Sequence, residues 1–268
     1  MKSFPYFENI TPKNFIIFSS SILVVFSLVS VFFLYRFIPY IFFIIIVISY
    51  LISLMIVNFS FKIKEAVSLL LYPSLISVIF FLFYLNYRFL FSDIFISIII
   101  FIIYFLLLYS TFIHISIINA SKYEHIPLAR FSYTVNYIVS IFISYLGFLL
   151  LFSQKNIFII LFFGLLFSYI IIFENIISLD YDISDALLYL LFGMFLFLNV
   201  ILLFMFYPIS PFVSSLSLAY LVYVYIGILL HEGLNNFISL NYIEYYIFGL
   251  ILFVALIFLP TWGIVGRF

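Results

Sequence analysis

The sequence predicts an all-α integral membrane protein, a polytopic bundle of about nine transmembrane helices. Of its 268 residues, 68% are hydrophobic and only 7% are charged, whereas a soluble domain carries about 25% charged residues. A chain with so few charges could not cover its surface in water, so the surrounding solvent must be lipid. The apolar runs show no polar alternation and are roughly 20 residues long, which favours helices over the strands of a membrane barrel.

Composition also argues against several functional classes. Cysteine is absent, so the chain has no disulfide framework, thiol nucleophile or cysteine-based metal site. The formal net charge is zero, which argues against nucleic acid as a partner. No phosphate-cradling glycine loop and no Gly-x-Ser-x-Gly nucleophile elbow is present. We therefore expect no cofactor and assign no catalytic residue.

Nine apolar runs are long enough to span a bilayer as helices. The first four are Phe15–Tyr35, Ile38–Val57, Ala66–Leu85 and Ile94–Ile118. Arg36 ends the first run, and Pro39 fits the first turn of the second, where a helix needs no N–H. Pro73 should kink the third helix because it removes one backbone hydrogen bond.

The other five runs are separated by polar or proline-containing turns. They are Pro127–Phe152, Ile157–Ile177, Ala186–Tyr207, Phe212–Leu230 and Tyr242–Leu259. The turn at Pro208–Pro211 is the least certain boundary, and eight helices is the alternative count. Asp185 is expected to cap the seventh helix or to lie in its first turn.

These runs form a single predicted transmembrane domain over residues 15–262. A polar segment at 1–14 precedes it, and a short tail at 263–268 follows it. The run from Phe15 is too long for a signal-peptide core and lacks a small-residue cleavage site, so we expect it to remain as the first span.

The distribution of basic residues predicts the orientation. With nine spans, the amino terminus shares a side with the second, fourth, sixth and eighth loops. That side carries six basic residues: Lys2, Lys13, Lys62, Lys64, Lys122 and Arg130. The other side carries four: Arg36, Arg88, Lys155 and Arg267. The positive-inside rule therefore predicts a cytoplasmic amino terminus in the cell membrane.

The same alternation of sides brings the histidines and most acidic residues near one interface. The candidate ligands of a metal or proton-handling site are His114, His125, Glu174, His231 and Glu232. Imidazole and carboxylate groups suit zinc and other transition metals. The interpretation we favour is that polar residues simply collect at the ends of spans. No H-E-x-x-H pattern supports a metalloenzyme.

Polar and small residues recur at helical spacing along three spans. On the fifth, Ser132, Asn136, Ser140 and Ser144 repeat every four residues. With Thr111 on the fourth span and Tyr220 and Gly227 on the eighth, they form a predicted polar seam. Such residues let helices approach and hydrogen-bond in lipid, so helix packing is the expected role. The alternative is a lining for a solute path.

Two further positions carry expectations about polar contacts. Asn199 is the deepest strongly polar residue of the seventh span, and we expect it to hydrogen-bond between helices. In the interfacial loop, Arg130 falls in the first turn of the fifth helix, where the helix dipole disfavours a cation. Glu124 or a lipid phosphate should offset that charge.

Several short motifs are spread along the chain: Asn119, Ile126-Pro127-Leu128, Arg130, Thr134, Val135, Tyr220, Gly227, His231, Gly249 and Trp262-Gly263. In these positions the chain resembles a family of uncharacterised polytopic membrane proteins from small-genome bacterial lineages. The resemblance covers most of the chain. It implies an architecture and no activity, substrate or catalytic residue.

Three functional hypotheses remain open from the sequence. The leading one is a non-enzymatic membrane subunit or scaffold, whose partners are the lipid bilayer and other membrane subunits. The second is a transporter of small solutes or lipids that uses the seam between the fourth, fifth and eighth helices. The third is an intramembrane enzyme with an interfacial His/acid site. We lean against an enzyme because no catalytic motif is present.

Overall fold

The computed structural model of this chain is helical throughout its regular structure. It describes residues 12–33, 38–57, 63–87, 94–121, 129–154, 156–179, 181–207, 209–233, 247, 249–251 and 254. Eight helices lie within this part: α1 (Pro12–Phe33), α2 (Ile38–Ile56), α3 (Ile63–Asn86), α4 (Ile94–Ser121), α5 (Ala129–Phe152), α6 (Ile157–Ser178), α7 (Ile183–Phe206) and α8 (Pro211–Gly233). The described residues of 247–254 are also helical, and no strand occurs among the described residues. The prediction of an all-α chain is confirmed.

Five of the described helices are long and apolar enough to cross a membrane. Their apolar spans are Phe95–Ala120, Phe131–Phe152, Ile157–Ser178, Ser184–Phe206 and Pro211–Gly233. The first three helices contribute shorter apolar stretches, namely Lys13–Ser27, Tyr40–Ile56 and Leu71–Asn86. The ninth predicted span lies largely outside the described residues. The count of nine spans therefore stays a prediction.

The helix ends follow the polar residues that separate the apolar runs. Oδ1 of Asn156 accepts hydrogen bonds from the backbone N–H groups of Phe158 (2.9 Å) and Ile159 (3.4 Å), which caps α6. Asp185 lies in the first turn of α7, as predicted, where the helix dipole favours an anion. Pro211 is the first residue of α8, a position that needs no backbone N–H.

The chain divides into two compact units, Met1–Val139 and Ser140–Phe268. In unit 1, α1 packs against α2, α3 and α4, and α3 packs against both α2 and α4. The buried Tyr104 lies at the centre of these contacts. Its hydroxyl is 3.3 Å from Oγ of Ser27 on α1, and its ring stacks on Phe80 of α3 at 4.7 Å. Oγ of Ser49 lies 2.9 Å from Oγ of Ser74, a contact that joins α2 to α3.

Unit 2 contains the remainder of α5 and the helices α6, α7 and α8. Helix α6 packs against both α7 and α8, and α7 also packs against α8. Phe148 of α5 meets Phe167 of α6 edge-on at 5.1 Å and stacks on Phe197 of α7 at 6.2 Å. Gly147 permits this approach, because a Cβ there would lie 2.6 Å from Cε1 of Phe167.

Many serine side chains lie inside the units, and many large apolar side chains face outward. Phe158 and Phe206 are 83% and 79% exposed. Many buried serines donate to the carbonyl four residues earlier in their own helix: Ser19, Ser20, Ser27, Ser49, Ser53, Ser77, Ser144, Ser168 and Ser217. This back-bonding satisfies the hydroxyls without water. Lipid offers no water to bond polar groups, so a chain in a membrane must satisfy them internally in this way.

The close packing of α7 predicts a steric difference between two glycines. A Cβ on Gly193 would lie 2.8 Å from Cε1 of Tyr225 and 2.9 Å from Cδ1 of Ile172, whereas one on Gly164 would lie 3.2 Å from the flexible end of Ile201. We expect Gly193→Ala to lower the free energy of unfolding by about 1–3 kcal/mol, because a packed ring must move. The matched control Gly164→Ala should change it less. Thermal unfolding of both variants in lipid nanodiscs tests this, and equal losses would contradict the assignment.

Candidate functional site

A polar contact in unit 1 joins α4 to α5 through His114 and Ser132. Nδ1 of His114 lies 2.6 Å from Oγ of Ser132. Both side chains are buried, with exposed fractions of 1% and 4%. Tyr133 meets the imidazole edge-on, with ring centroids 5.6 Å apart. The sequence alone could not place a serine beside a histidine, and the structure does so by bringing two polar stripes together.

The chemistry open to this pair follows from its surroundings. A serine nucleophile and its base must be reachable by a substrate, yet both side chains are enclosed by protein. In lipid, a short hydrogen bond between polar side chains holds neighbouring helices together. The geometry therefore supports a helix-joining contact.

Thr111 and Asn136, the other predicted seam residues of unit 1, are also buried. The hydroxyl of Thr111 lies 2.9 Å from the carbonyl oxygen of Leu108 in its own helix. A crevice elsewhere in unit 1 is lined by Ser27, Phe80, Phe81, Tyr84, Ile100, Phe101 and Tyr104. Its cavity volume is about 10 Å³, close to the minimum for one water molecule. Neither Thr111 nor Asn136 lines it.

In unit 2, the predicted seam meets a residue that the sequence analysis did not select. Nδ2 of Asn175 on α6 donates to Oγ of Ser140 on α5 at 3.3 Å and to the carbonyl of Ile171 at 2.8 Å. Ser144 donates to the carbonyl of Ser140. A sequence signal existed, because Gly164, Ser168 and Asn175 recur at spacings of four and seven on the sixth span. The many apolar residues of the sixth span made this spacing hard to recognise.

The remaining seam residues and Asn199 have distinct environments. Gly227 is buried within α8. Tyr220 is half-buried and lies close to Gly249. A Cβ added to Gly249 would lie 2.9 Å from the Tyr220 hydroxyl. Among the described residues, Asn199 does not form the expected hydrogen bond to another helix. Its side chain is exposed and its Nδ2 donates to the carbonyl of Phe195, one turn earlier in α7.

The candidate metal ligands have different degrees of burial. Glu174 is buried with 1% exposure, His231 is half-buried in the last turn of α8, and Glu232 is exposed. Among the described residues, no three His, Cys, Asp or Glu side chains are grouped so that they could hold a metal ion. Glu124 and His125 lie outside the described residues, as does the side chain of Arg130. The metal site and the Glu124–Arg130 contact stay predictions.

Three tyrosines and one glutamate at one end of unit 2 form a polar cluster, which we call the tyrosine clasp. Its members are Tyr181, Tyr189, Tyr225 and Glu232. The hydroxyl of Tyr181, in the α6–α7 connection, donates to the carbonyl of Leu229 on α8 at 2.6 Å. Tyr189 on α7 donates to Oε2 of Glu232, and Tyr225 on α8 donates to the backbone carbonyl of Tyr189. These bonds join the connection, α7 and α8.

Packing and electrostatics reinforce the clasp. The rings of Tyr181 and Tyr189 lie 5.0 Å apart. A Cβ on Gly233 would lie 3.1 Å from the Tyr181 hydroxyl, so glycine leaves room for this ring. Burial raises the pKa of Tyr181, and the nearby Tyr189 and Glu232 raise it further. Tyr181 is therefore a neutral hydrogen-bond donor at physiological pH.

The sequence pattern points to Glu232 as a candidate residue and does not point to the three tyrosines. The chain contains 23 tyrosines, so no single one stands out by residue type. A weak signal was the position of Tyr181 among the acidic residues of the α6–α7 connection. Only the packing of α7 against α8 brings its hydroxyl to the end of α8.

Comparisons with known proteins give no relative from which a function could be transferred. No family model, curated protein or solved structure matches this chain. Its function is therefore argued from its own residues.

The His114–Ser132 contact predicts a measurable loss of stability. We expect Ser132→Ala to lower the free energy of unfolding by about 0.6–1.7 kcal/mol, the range of interhelical hydrogen bonds in membranes. The control is Ser144→Ala, because that buried hydroxyl bonds only to its own helix among the contacts seen here. Ser144→Ala should lower the free energy of unfolding by less than Ser132→Ala does. Reversible unfolding in mixed micelles measures both, and equal effects would rule out a helix-joining role.

The Tyr181 contact predicts a pH-dependent contribution to stability. Because the folded-state pKa of Tyr181 is raised, its contribution is fully present below the unfolded value of about 10. It is lost as pH rises through the folded-state pKa. We expect Tyr181→Phe to cost about 1 kcal/mol at pH 7, with the difference from wild type shrinking above about pH 10.

The control is Tyr169→Phe on α6, whose ring stacks on Phe173. That variant removes a phenol hydroxyl outside the tyrosine clasp, so it is the matched substitution. Unfolding free energies measured from pH 7 to 11 provide the comparison. A Tyr181→Phe difference that stays constant across this range would contradict the expected contribution.

Proposed function

We propose that this chain is a multi-pass integral membrane protein that serves as a non-enzymatic subunit or scaffold of a membrane complex. The supporting observation is how its polar groups are used. Many buried serine hydroxyls bond to their own helices, and contacts such as His114–Ser132 and Asn175–Ser140 join neighbouring helices. Large apolar side chains face outward. Such use of polar groups accounts for a rigid helical framework without any reaction chemistry.

The finer architecture belongs to the same proposal. We infer about nine transmembrane helices, with eight as the alternative, in one domain over residues 15–262. The amino terminus lies in the cytoplasm and the chain resides in the cell membrane, following the six-to-four distribution of basic residues. Its partners are the lipid bilayer and other membrane subunits.

The two other hypotheses make different structural demands. A transporter needs a continuous polar path beside Thr111 and Asn136, which are both buried. An enzyme needs several of the His/acid candidates to converge, and the exposed Glu232 is engaged by Tyr189. The scaffold proposal needs neither feature, which is why we prefer it.

The absence of native cysteine permits a topology test without background labelling. Single cysteines are introduced by Ser153→Cys, Asp182→Cys and Ser210→Cys, each in a different connection between described helices. We expect an impermeant maleimide to label Ser153→Cys and Ser210→Cys on intact cells. Asp182→Cys should react only after permeabilisation. The wild-type chain is the unlabelled control. Labelling of Ser153→Cys and Asp182→Cys from the same side would contradict the multi-pass order, and a fully reversed pattern would contradict only the orientation.

The subunit role is tested by comparing two sources of the protein. The chain extracted from its native membrane in mild detergent should migrate on native gels at a larger mass than the recombinant chain expressed alone. The difference reports other subunits, because both samples carry the same detergent belt. Identical migration of the two samples would contradict a role in a complex with other proteins.

A further inference from the structure

Asn199 lies deep in an apolar helix. Its span, Ser184–Phe206, has residue 195 at its midpoint, so Asn199 is about 6 Å from the middle along the helix axis. A hydrocarbon core about 30 Å thick would enclose this position. A carboxamide there cannot be hydrated by bulk water, so any group left unbonded is costly.

The structure turns this side chain outward. Asn199 is exposed, and its Nδ2 donates to the carbonyl of Phe195 at 2.7 Å. An amide has two N–H donors and an oxygen with two acceptor positions. Among the described residues, this amide makes no other hydrogen bond. One N–H and the oxygen are therefore directed to whatever surrounds α7.

The surface around Asn199 has the pattern of a helix-packing seam. Exposed residues recur at spacings of three and four along α7: Leu188, Phe192, Phe195, Asn199, Leu203 and Phe206. Each of the five apolar members is more than half exposed. This spacing keeps all six on one side of the helix. A single asparagine within such an apolar seam is a known means of fixing helix register and the number of associated helices.

We propose that this stripe binds a second copy of the same chain, and that the two Asn199 amides hydrogen-bond to each other. The amide supplies both donor and acceptor, so it is complementary to itself across a twofold axis. The five apolar residues pack around the pair and exclude lipid. This inference rests on the proposed role as a membrane subunit, for which it names one partner.

The first test measures self-association of the full-length recombinant chain in liposomes. Single-molecule photobleaching is recorded as the protein is diluted into lipid. We expect dimers, and we expect Asn199→Leu to weaken association about threefold to twentyfold, the effect of one interhelical polar contact in membranes. The control is Phe162→Leu on the exposed face of α6, which should leave association unchanged. Matching thermal unfolding of each variant with wild type shows that the fold is retained.

The second test locates the interface and does not depend on the asparagine variant. In the cysteine-free background, Phe195→Cys should form an oxidative crosslink between two chains, while the equally lipid-facing Phe162→Cys should not. A monomer at every dilution, an unchanged affinity for Asn199→Leu, or equal crosslinking at both positions would overturn the inference. The native-gel comparison would still decide the subunit role, because it detects partners other than a second copy.

Discussion

The constraint on which this structure depends is that polar groups have no water to bond inside a membrane-spanning bundle. Every backbone N–H and carbonyl must be satisfied within its own helix or by a neighbour. Side-chain hydroxyls follow the same rule, and five buried serines of α1 and α2 meet it by donating to carbonyls one turn earlier: Ser19, Ser20, Ser27, Ser49 and Ser53. Serine is therefore compatible with burial at many positions here without forming a site.

Within the described residues, several polar side chains reach from one helix to another. In unit 1, Ser27–Tyr104 joins α1 to α4 and Ser49–Ser74 joins α2 to α3. In unit 2, Asn175–Ser140 joins α6 to α5. Apolar contacts cannot supply such specificity in lipid, because the lipid tails are as apolar as the side chains. Paired polar groups and close glycine contacts supply it instead.

The tyrosine clasp shows a different solution at the end of unit 2. Phenol groups combine a large apolar ring with one hydrogen-bond donor, so they suit a boundary between apolar and polar surroundings. Tyr181 donates to the carbonyl of Leu229 near the carboxyl-terminal end of α8. Tyr189 donates to the exposed carboxylate of Glu232. Tyr181 thus joins the α6–α7 connection to α8, while Tyr189 and Tyr225 join α7 to α8.

The sequence by itself determined the solvent, the helical class and the approximate ends of the eight described helices. Long apolar runs without charges leave the backbone no alternative to helices, and residues such as Asn156 and Pro211 mark where they begin. It also identified His114 and Ser140 as polar stripe residues, because a spacing of three or four places residues on one helix face. The partners of these residues depend on which helices are neighbours, and helical spacing carries no information about that.

The tertiary structure alone decided the partners and the outward-facing residues. It paired His114 with Ser132 and Ser140 with Asn175, and it assembled a clasp from tyrosines that residue type could not distinguish. It also turned Asn199 to the surface, although its depth in the seventh span had suggested a contact within the chain. The physical reason is that apolar residues surround α7 almost evenly, so the sequence does not show which face packs inward. Packing against α6 and α8 makes that choice.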